Sequence, residues 1–395
     1  MNAHEIDATV EQVLETTPVI DVHTHLFDPS FGGLALWGID ELLTYHYLEA
    51  ELFRFSPIRP EEYWRLNKQQ RADLIWKTLF IENTPLSEAA RGVVAVLAAF
   101  GLDSNAATLD PFRDFFREQD YSKHVQRVFN LSGVSHVVMT NDPLDADEAR
   151  MWNAEAHAGC GFYAAMRLDQ ILNSSGPSAL GDPKSLELAA ARMKAVYMAV
   201  SLPDSFAFPA GDSRTTLLRD AVLPACKQLD IPLALMIGVR RGVNPDLRSG
   251  GDASGRADLR AIANLCAEFP DNRFLVTALS RENQHELCVY ARKFSNLLPF
   301  GCWWFLNNPS IVEEITRERL EMLGTSFIPQ HSDARVLEQL IYKWRNTRRT
   351  LAPILSTSYK LLVQDGRAVT RAVIERDIDR LFRRNFEQWT RADQS

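Results

Sequence analysis

Residues 19–28 read VIDVHTHLFD, an apolar β-branched run that ends in two histidines two positions apart. Side chains alternate faces along a strand, so His23 and His25 share one face, with Asp21 beside them. Imidazole is the commonest metal ligand among side chains, and two at this spacing can grip one ion. A bare HxH pair fits a structural role equally well. Its position favours chemistry: the pair sits where an apolar strand runs out, the end at which barrel enzymes carry their active sites.

Polar residues gather at the tips of later runs as well. The third run ends MRLD with Arg167 and Asp169, and the fifth continues MIGVRRGVN with Arg240 and Arg241. The seventh ends CWWF with Trp303 and Trp304, and the eighth ends HSDAR with His331, Asp333 and Arg335. A single arginine at a strand end is often only a solvated loop residue. Three tips supplying arginine to one mouth suit a carboxylate or phosphate, which guanidinium binds bidentately. Between the first and second runs, YHYLEAELFR places His46 and Tyr47 near Arg54, and ENTPLSEAARG carries Ser87 and Glu88 at a helix start.

The elements that must hold these groups are short β-rich runs with helical segments between them, the pattern of parallel βα units. They lie at 19–25, 134–140, 161–167, 195–201, 231–238, 273–280, 296–305 and 325–332. Eight such runs with helix-length crossovers predict an α/β fold, a (β/α)₈ TIM barrel. The first connection is far longer than a crossover needs and contains the helix-like stretches IDELLTYHYLEAELFR, PEEYWRLNKQQRADLIWKTLFI and SEAARGVVAVLAAFG, punctuated by prolines. The expected organisation is residues 1–29 as N-terminal helix and first strand, 30–130 as an inserted helical subdomain, and 131–395 as the rest of the barrel.

A chain of 395 residues with 46% hydrophobic content can bury a core of that size. The net charge of −8 and a pI near 5.7 leave no basic footprint for nucleic acid. Five widely spaced cysteines (Cys160, Cys226, Cys266, Cys288 and Cys302) read as reduced core residues rather than a disulfide framework. The N-terminal stretch lacks a basic segment followed by a long apolar one, and no apolar stretch is long enough to span a bilayer, so no membrane association and a cytoplasmic location are expected.

Taken in order, DVHTHL, the HY pair, PLSEAARGV, the arginine after the third run, IG-x-x-R-x-x-N after the fifth, WWF and SDAR resemble the uronate isomerases of the amidohydrolase superfamily over nearly the whole chain. The resemblance implies a metal-dependent barrel with ligands His23, His25 and Asp333. It also implies His46, Tyr47, Arg167, Arg241, Trp304 and Arg335 around a sugar acid, with Arg240 as the alternative to Arg241. Oligomers are common in that family.

Three departures stand out. Met236 occupies the place on the fifth run where the family carries a histidine, and a thioether is a poor partner for a hard metal. His331 lies two residues before Asp333, where it could be an extra ligand or a hydrogen-bonding support. YKWRNTRR only approximates the arginine-rich stretch that follows in the family. Lys194 opens the fourth run, out of place for a carbamate bridging two metals, so one divalent ion is expected. Zinc is the first choice, with manganese or iron compatible with the same donors.

The reaction so implied is aldose–ketose isomerisation of a hexuronate, of the D-glucuronate to D-fructuronate type. His46 or Asp333 would shuttle the ring-opening proton, and Tyr47, its pKa lowered by Arg335, would move the C2 proton. Arg167 or Arg241 would hold the C6 carboxylate. Two alternatives remain at this point: a metal-dependent hydrolase or decarboxylase of an acidic small molecule, and a catalytically silent sugar-acid binding protein.

Overall fold

The first seven apolar runs fold as neighbours in one curled sheet. In the computed structural model, which describes residues 1–153, 161–173, 180–390 and 392, the strands are β1 (Val19–Thr24), β2 (Val134–Asn141), β3 (Phe162–Arg167), β4 (Ala195–Pro203), β5 (Leu233–Arg240), β6 (Ala253–Ser254), β7 (Phe274–Ala278) and β8 (Leu297–Pro299). The order is β1-β2-β3-β4-β5-β7-β8, all parallel, with the two-residue β6 antiparallel against β5. Parallel strands covered on both faces need apolar residues on both, and β1 and β7 are buried at every position. Val22, Val138, Ala165, Tyr197, Met236 and Leu275 face one another inside the sheet, and Phe386 of the C-terminal region packs into the same cluster. This is a TIM-barrel type of fold.

Closure differs from the simple eight-strand expectation. The eighth run forms no continuous strand; it makes one parallel bridge, Phe300 to Ile328, and then bends. Pro329 has no N–H to give to a ladder, and Asp333 adopts φ +53°. The ring still meets itself, because Asp333 N–H donates to His23 O at 3.2 Å and His25 N–H to Ala334 O at 2.7 Å. The seventh run is also shorter than its sequence indicates. Gly301 turns the chain at φ +65°, so Trp303 and Trp304 lie beyond β8 rather than on it.

Between β1 and β2 the chain is helical. The stretch IDELLTYHYLEAELFR is broken at Thr44 and Tyr45, so that His46 opens a new helix, Tyr45 being its extended N-cap. Helix α1 (Ala3–Thr16) lies at the N-terminus, α2 (His46–Phe55) and α3 (Glu88–Ala99) lie in this connection, and α4 (Gln339–Gln364) follows the last barrel segment. Ser87 caps α3 through Ala90 N–H at 3.1 Å and also donates to Glu51 at 2.6 Å.

Helix α4 binds the connection to the barrel. Buried Lys343 pairs with Glu88 at 3.0 Å, and Gly92 lets α3 approach so closely that a Cβ there would fall 2.7 Å from the Tyr342 ring. Gly92→Ala is therefore expected to destabilise the fold by about 1–3 kcal/mol, read as a lowered denaturation midpoint; an unchanged midpoint would show that the ring moves freely aside.

No helix among the described residues is long and apolar enough to cross a membrane. Cys226, Cys266, Cys288 and Cys302 are buried and free, and Cys160 lies outside the described residues.

Candidate active site

The three implied ligands converge. Ligand atoms of His23, His25 and Asp333 lie within 4.8 Å of one another, with Nε2 of the two histidines 3.6 and 3.4 Å from Asp333 Oδ1. That Oδ1 is buried without a hydrogen-bond partner. Burial depresses the basicity of both imidazoles, His23 to about 3 and His25 well below its ordinary value, so both rings are neutral and keep a lone pair. Burial also raises the Asp333 pKa, against the pull of His23 and Arg335 nearby.

The orientation of His23 is set from β2 and β4. The Tyr197 hydroxyl donates to Val22 O at 2.7 Å, so it receives a hydrogen bond from His23 Nδ1, 3.3 Å away; Thr140 Oγ1 lies 3.2 Å from the same nitrogen. Nδ1 therefore carries the proton and Nε2 the lone pair, the tautomer a ligand needs. Asp21 is no ligand. Its buried carboxylate accepts from Ser332 N–H at 3.0 Å and Trp344 Nε1 at 2.8 Å, which ties the Asp333 segment to β1, and burial lifts its pKa to about 6. The donor chemistry fits one divalent metal ion held by His23, His25 and Asp333.

Around this group opens a cavity. His46, Arg167, Arg241, Trp304 and Arg335 all line it, together with Tyr45, Thr140, Asp169, Ser201, Met236 and Trp303. Met236 thus reaches the wall at the place of the absent histidine. His46, pushed by burial to about 4, is neutral; Trp304 Nε1 donates to its Nε2 at 3.2 Å, leaving the proton on Nδ1.

The arginines differ in their freedom. Arg167 is held by Asp169, whose other oxygen accepts from Ser201 N–H at 2.6 Å. Arg240 turns away to Asp204 and does not line the cavity; Arg241 lines it, bonded through one amino group to Asp252 and lying 5.8 Å from the Trp304 ring centre. Arg335 forms no ion pair among the described residues, although its charge bears on Asp333 as well as on His25, His46 and Tyr45.

One expectation requires correction, and one open alternative is narrowed. Arg335 does not lower the pKa of Tyr47: burial raises it well above the ordinary phenol value, with Tyr45 and Asp333 adding to the rise. It is Tyr45 that lines the cavity and feels Arg335, while the Tyr47 ring lies 5.0 Å behind it, with Lys343 Nζ 5.7 Å from its centre. His331 is not grouped with the ligand triad. It is fully buried, its ring 5.2 Å from that of His23, and Gly301 makes room for it where a Cβ would fall 1.9 Å away. Thr140, Ser201 and Tyr197 escaped the sequence reading; the first two were legible as polar residues near the ends of predicted strands, whereas Tyr197 carried no signal inside an apolar run.

A curled parallel sheet with His23 on β1, His25 just past its end and the aspartate of the last barrel segment at its mouth defines a barrel enzyme with a donor set that could hold a metal ion. No protein-family model matches the chain, and neither does any curated protein. Among solved structures, a uronate isomerase from Bacillus halodurans C-125 is 45% identical, with a TM-score of 0.95 over 99% of this chain and 97% of that one. This chain belongs to the uronate isomerase family. Two further structures, each 15% identical, share the fold: a uronate isomerase from Thermotoga maritima (TM-score 0.76, 97% of each chain) and a glucuronate isomerase from Caulobacter crescentus (0.67, 100% of this chain and 95% of that one).

Proposed function

We propose that this protein interconverts an aldose and a ketose form of a hexuronate, of the D-glucuronate to D-fructuronate type. The observation that carries the reading is the neutral His23, neutral His25 and orphaned Asp333 Oδ1 meeting in one arginine-lined cavity, in a chain 45% identical to a uronate isomerase. Zinc is the metal we favour for two imidazoles and a carboxylate; when bound it supplies Lewis-acid polarisation of a substrate oxygen.

The protein's own groups divide the remaining work. Arg241 keeps guanidinium donors free beyond its single contact with Asp252 and can grip the C6 carboxylate while the neighbouring Trp304 face packs against the sugar. His46, protonated at Nδ1, donates to a sugar hydroxyl and serves the proton shuttle of ring opening. The Tyr45 phenol, kept protonated by burial, lines the cavity and can donate a hydrogen bond to a sugar oxygen, while the Tyr47 ring lies behind it and supports it. Arg335, held in no ion pair among the described residues, meets the oxyanion of the enediolate. Water is limited by the buried surroundings of the ligands.

Heavy water tests this. An enediolate route hands the migrating hydrogen to a protein group, so deuterium is expected at C1 of the ketose or returned to C2 of the aldose, followed by NMR. Y45F compared with Y47F in that assay tests whether the cavity-lining phenol takes part in the reaction while its neighbour only supports it. Hydrolysis of an acidic amide or ester with no ketose from any hexuronate would overturn the reading.

A further inference from the structure

We propose that Trp64, remote from the reacting atoms, is a positioning residue for Arg241, acting through a strap of residues 242–252 that it clasps. The substrate side of this inference rests on the hexuronate reading above. The strap itself rests on geometry alone.

The chain leaves β5 at Arg240, passes Arg241, and returns as β6, where Ala253 and Ser254 pair with Arg240 and Val239. Its base is tied by Gly242 N–H to Asp252 Oδ1 at 2.8 Å and by Asn244 N–H to Gly251 O at 3.0 Å. Asp252 also holds Arg241, so the strap's base and the cavity arginine move as one unit. Beyond the base the strap is thinly supported: residues 241–246, 248 and 249 are exposed, and Val243 presents an apolar side chain to solvent. Such segments open locally at small cost unless something pins them.

Trp64 is the pin. Its Nε1 donates to Asp246 O at 2.8 Å, and the Arg248 guanidinium lies 4.3 Å from the centre of its ring. Tyr63 and Arg71 brace the other sides of the indole, at 4.8 and 5.4 Å. Arg248 has φ +51° and ψ −123°, a conformation non-glycine residues adopt only when the surroundings impose it. The strap also settles on α2, where a Cβ on Gly250 would lie 3.2 Å from His46 O. His46 bonds Trp304, and Trp304 neighbours Arg241, so the strap rests against the wall of the mouth that carries Arg241.

A group that binds the carboxylate equally in ground and transition states shows itself in KM. W64A is therefore expected to raise KM for hexuronate about tenfold with a much smaller change in kcat. W64F, which keeps the ring and loses the N–H, should recover part of that loss. On an R241A background W64A should add less than about twofold, because its route runs through Arg241. G251A attacks the strap from its base, a Cβ there falling 1.8 Å from Asn244 O, and should reproduce the KM effect. Amide exchange of residues 242–251 should quicken in W64A without any substrate present, while the denaturation midpoint stays near that of the wild type. Multiplicative effects of W64A and R241A, or unchanged exchange in W64A, would overturn the proposal. Wild-type protein inert toward every hexuronate would instead overturn the function reading, and the exchange result would still decide the strap.

Discussion

Asp333→Asn is expected to strip the protein of its divalent metal and to lower kcat/KM by about a thousandfold or more, since a catalytic metal supplies several kcal/mol of charge stabilisation. The substitution preserves volume and removes only the charge. Asp333 Oδ1 faces Nε2 of both histidines and is buried without a hydrogen-bond partner, so no neighbouring side chain can make good the missing anion. Elemental analysis of purified wild type and variant, alongside a ketose assay, reads both consequences. Circular dichroism guards against misfolding. Full turnover by D333N, or by wild type after chelation, would remove the metal from the account.

Arg335→Gln should leave metal content intact and lower kcat/KM by about 10²–10³-fold, the range for deleting a preorganised donor to a developing oxyanion. Arg335 stands apart from the other arginines of the mouth because they already hold carboxylates: Asp169 for Arg167, Asp252 for Arg241. A guanidinium held in no ion pair has none to break before it meets substrate. If the role is transition-state stabilisation, kcat falls with kcat/KM; if Arg335 only gathers the anion, KM rises and kcat is kept. The two outcomes separate Arg335 from Arg241. Turnover within a few-fold of wild type would exclude Arg335 from the chemistry.

Part of this site could be read from the chain. HxH spacing on a strand dictates a shared face, so His23 and His25 had to be neighbours wherever the strand ran. Arginines and an aspartate at the ends of apolar runs had to meet once those runs became parallel neighbours, because parallel order brings every C-terminal tip to one rim. The length and prolines of the connection after β1 likewise announced helices there.

Other features have no local signature. The break at Thr44 and Tyr45, which makes Tyr45 an N-cap and sets Tyr47 behind it, follows from how α2 seats on the barrel; along the chain, IDELLTYHYLEAELFR reads as uninterrupted helix. The pKa of Tyr47 depended on burial, a property of the assembled fold, and burial outweighed the nearby cation that charge reasoning had emphasised. Arg240 and Arg241 are adjacent and chemically identical; only the placement of Asp204 and Asp252 sends one away and the other into the cavity.

By itself, then, the sequence determined the alternation of strands and helices and the residue types that gather at the strand ends, because these depend on residue chemistry and short-range periodicity. Tertiary structure alone decided which arginine of the mouth is held in no ion pair, which tyrosine meets the cavity, and how the last barrel segment closes through Asp333 without a strand. These outcomes turn on contacts between residues hundreds of positions apart, such as Asp21 with Trp344 and His23 with Asp333, and no local pattern encodes distances of that kind.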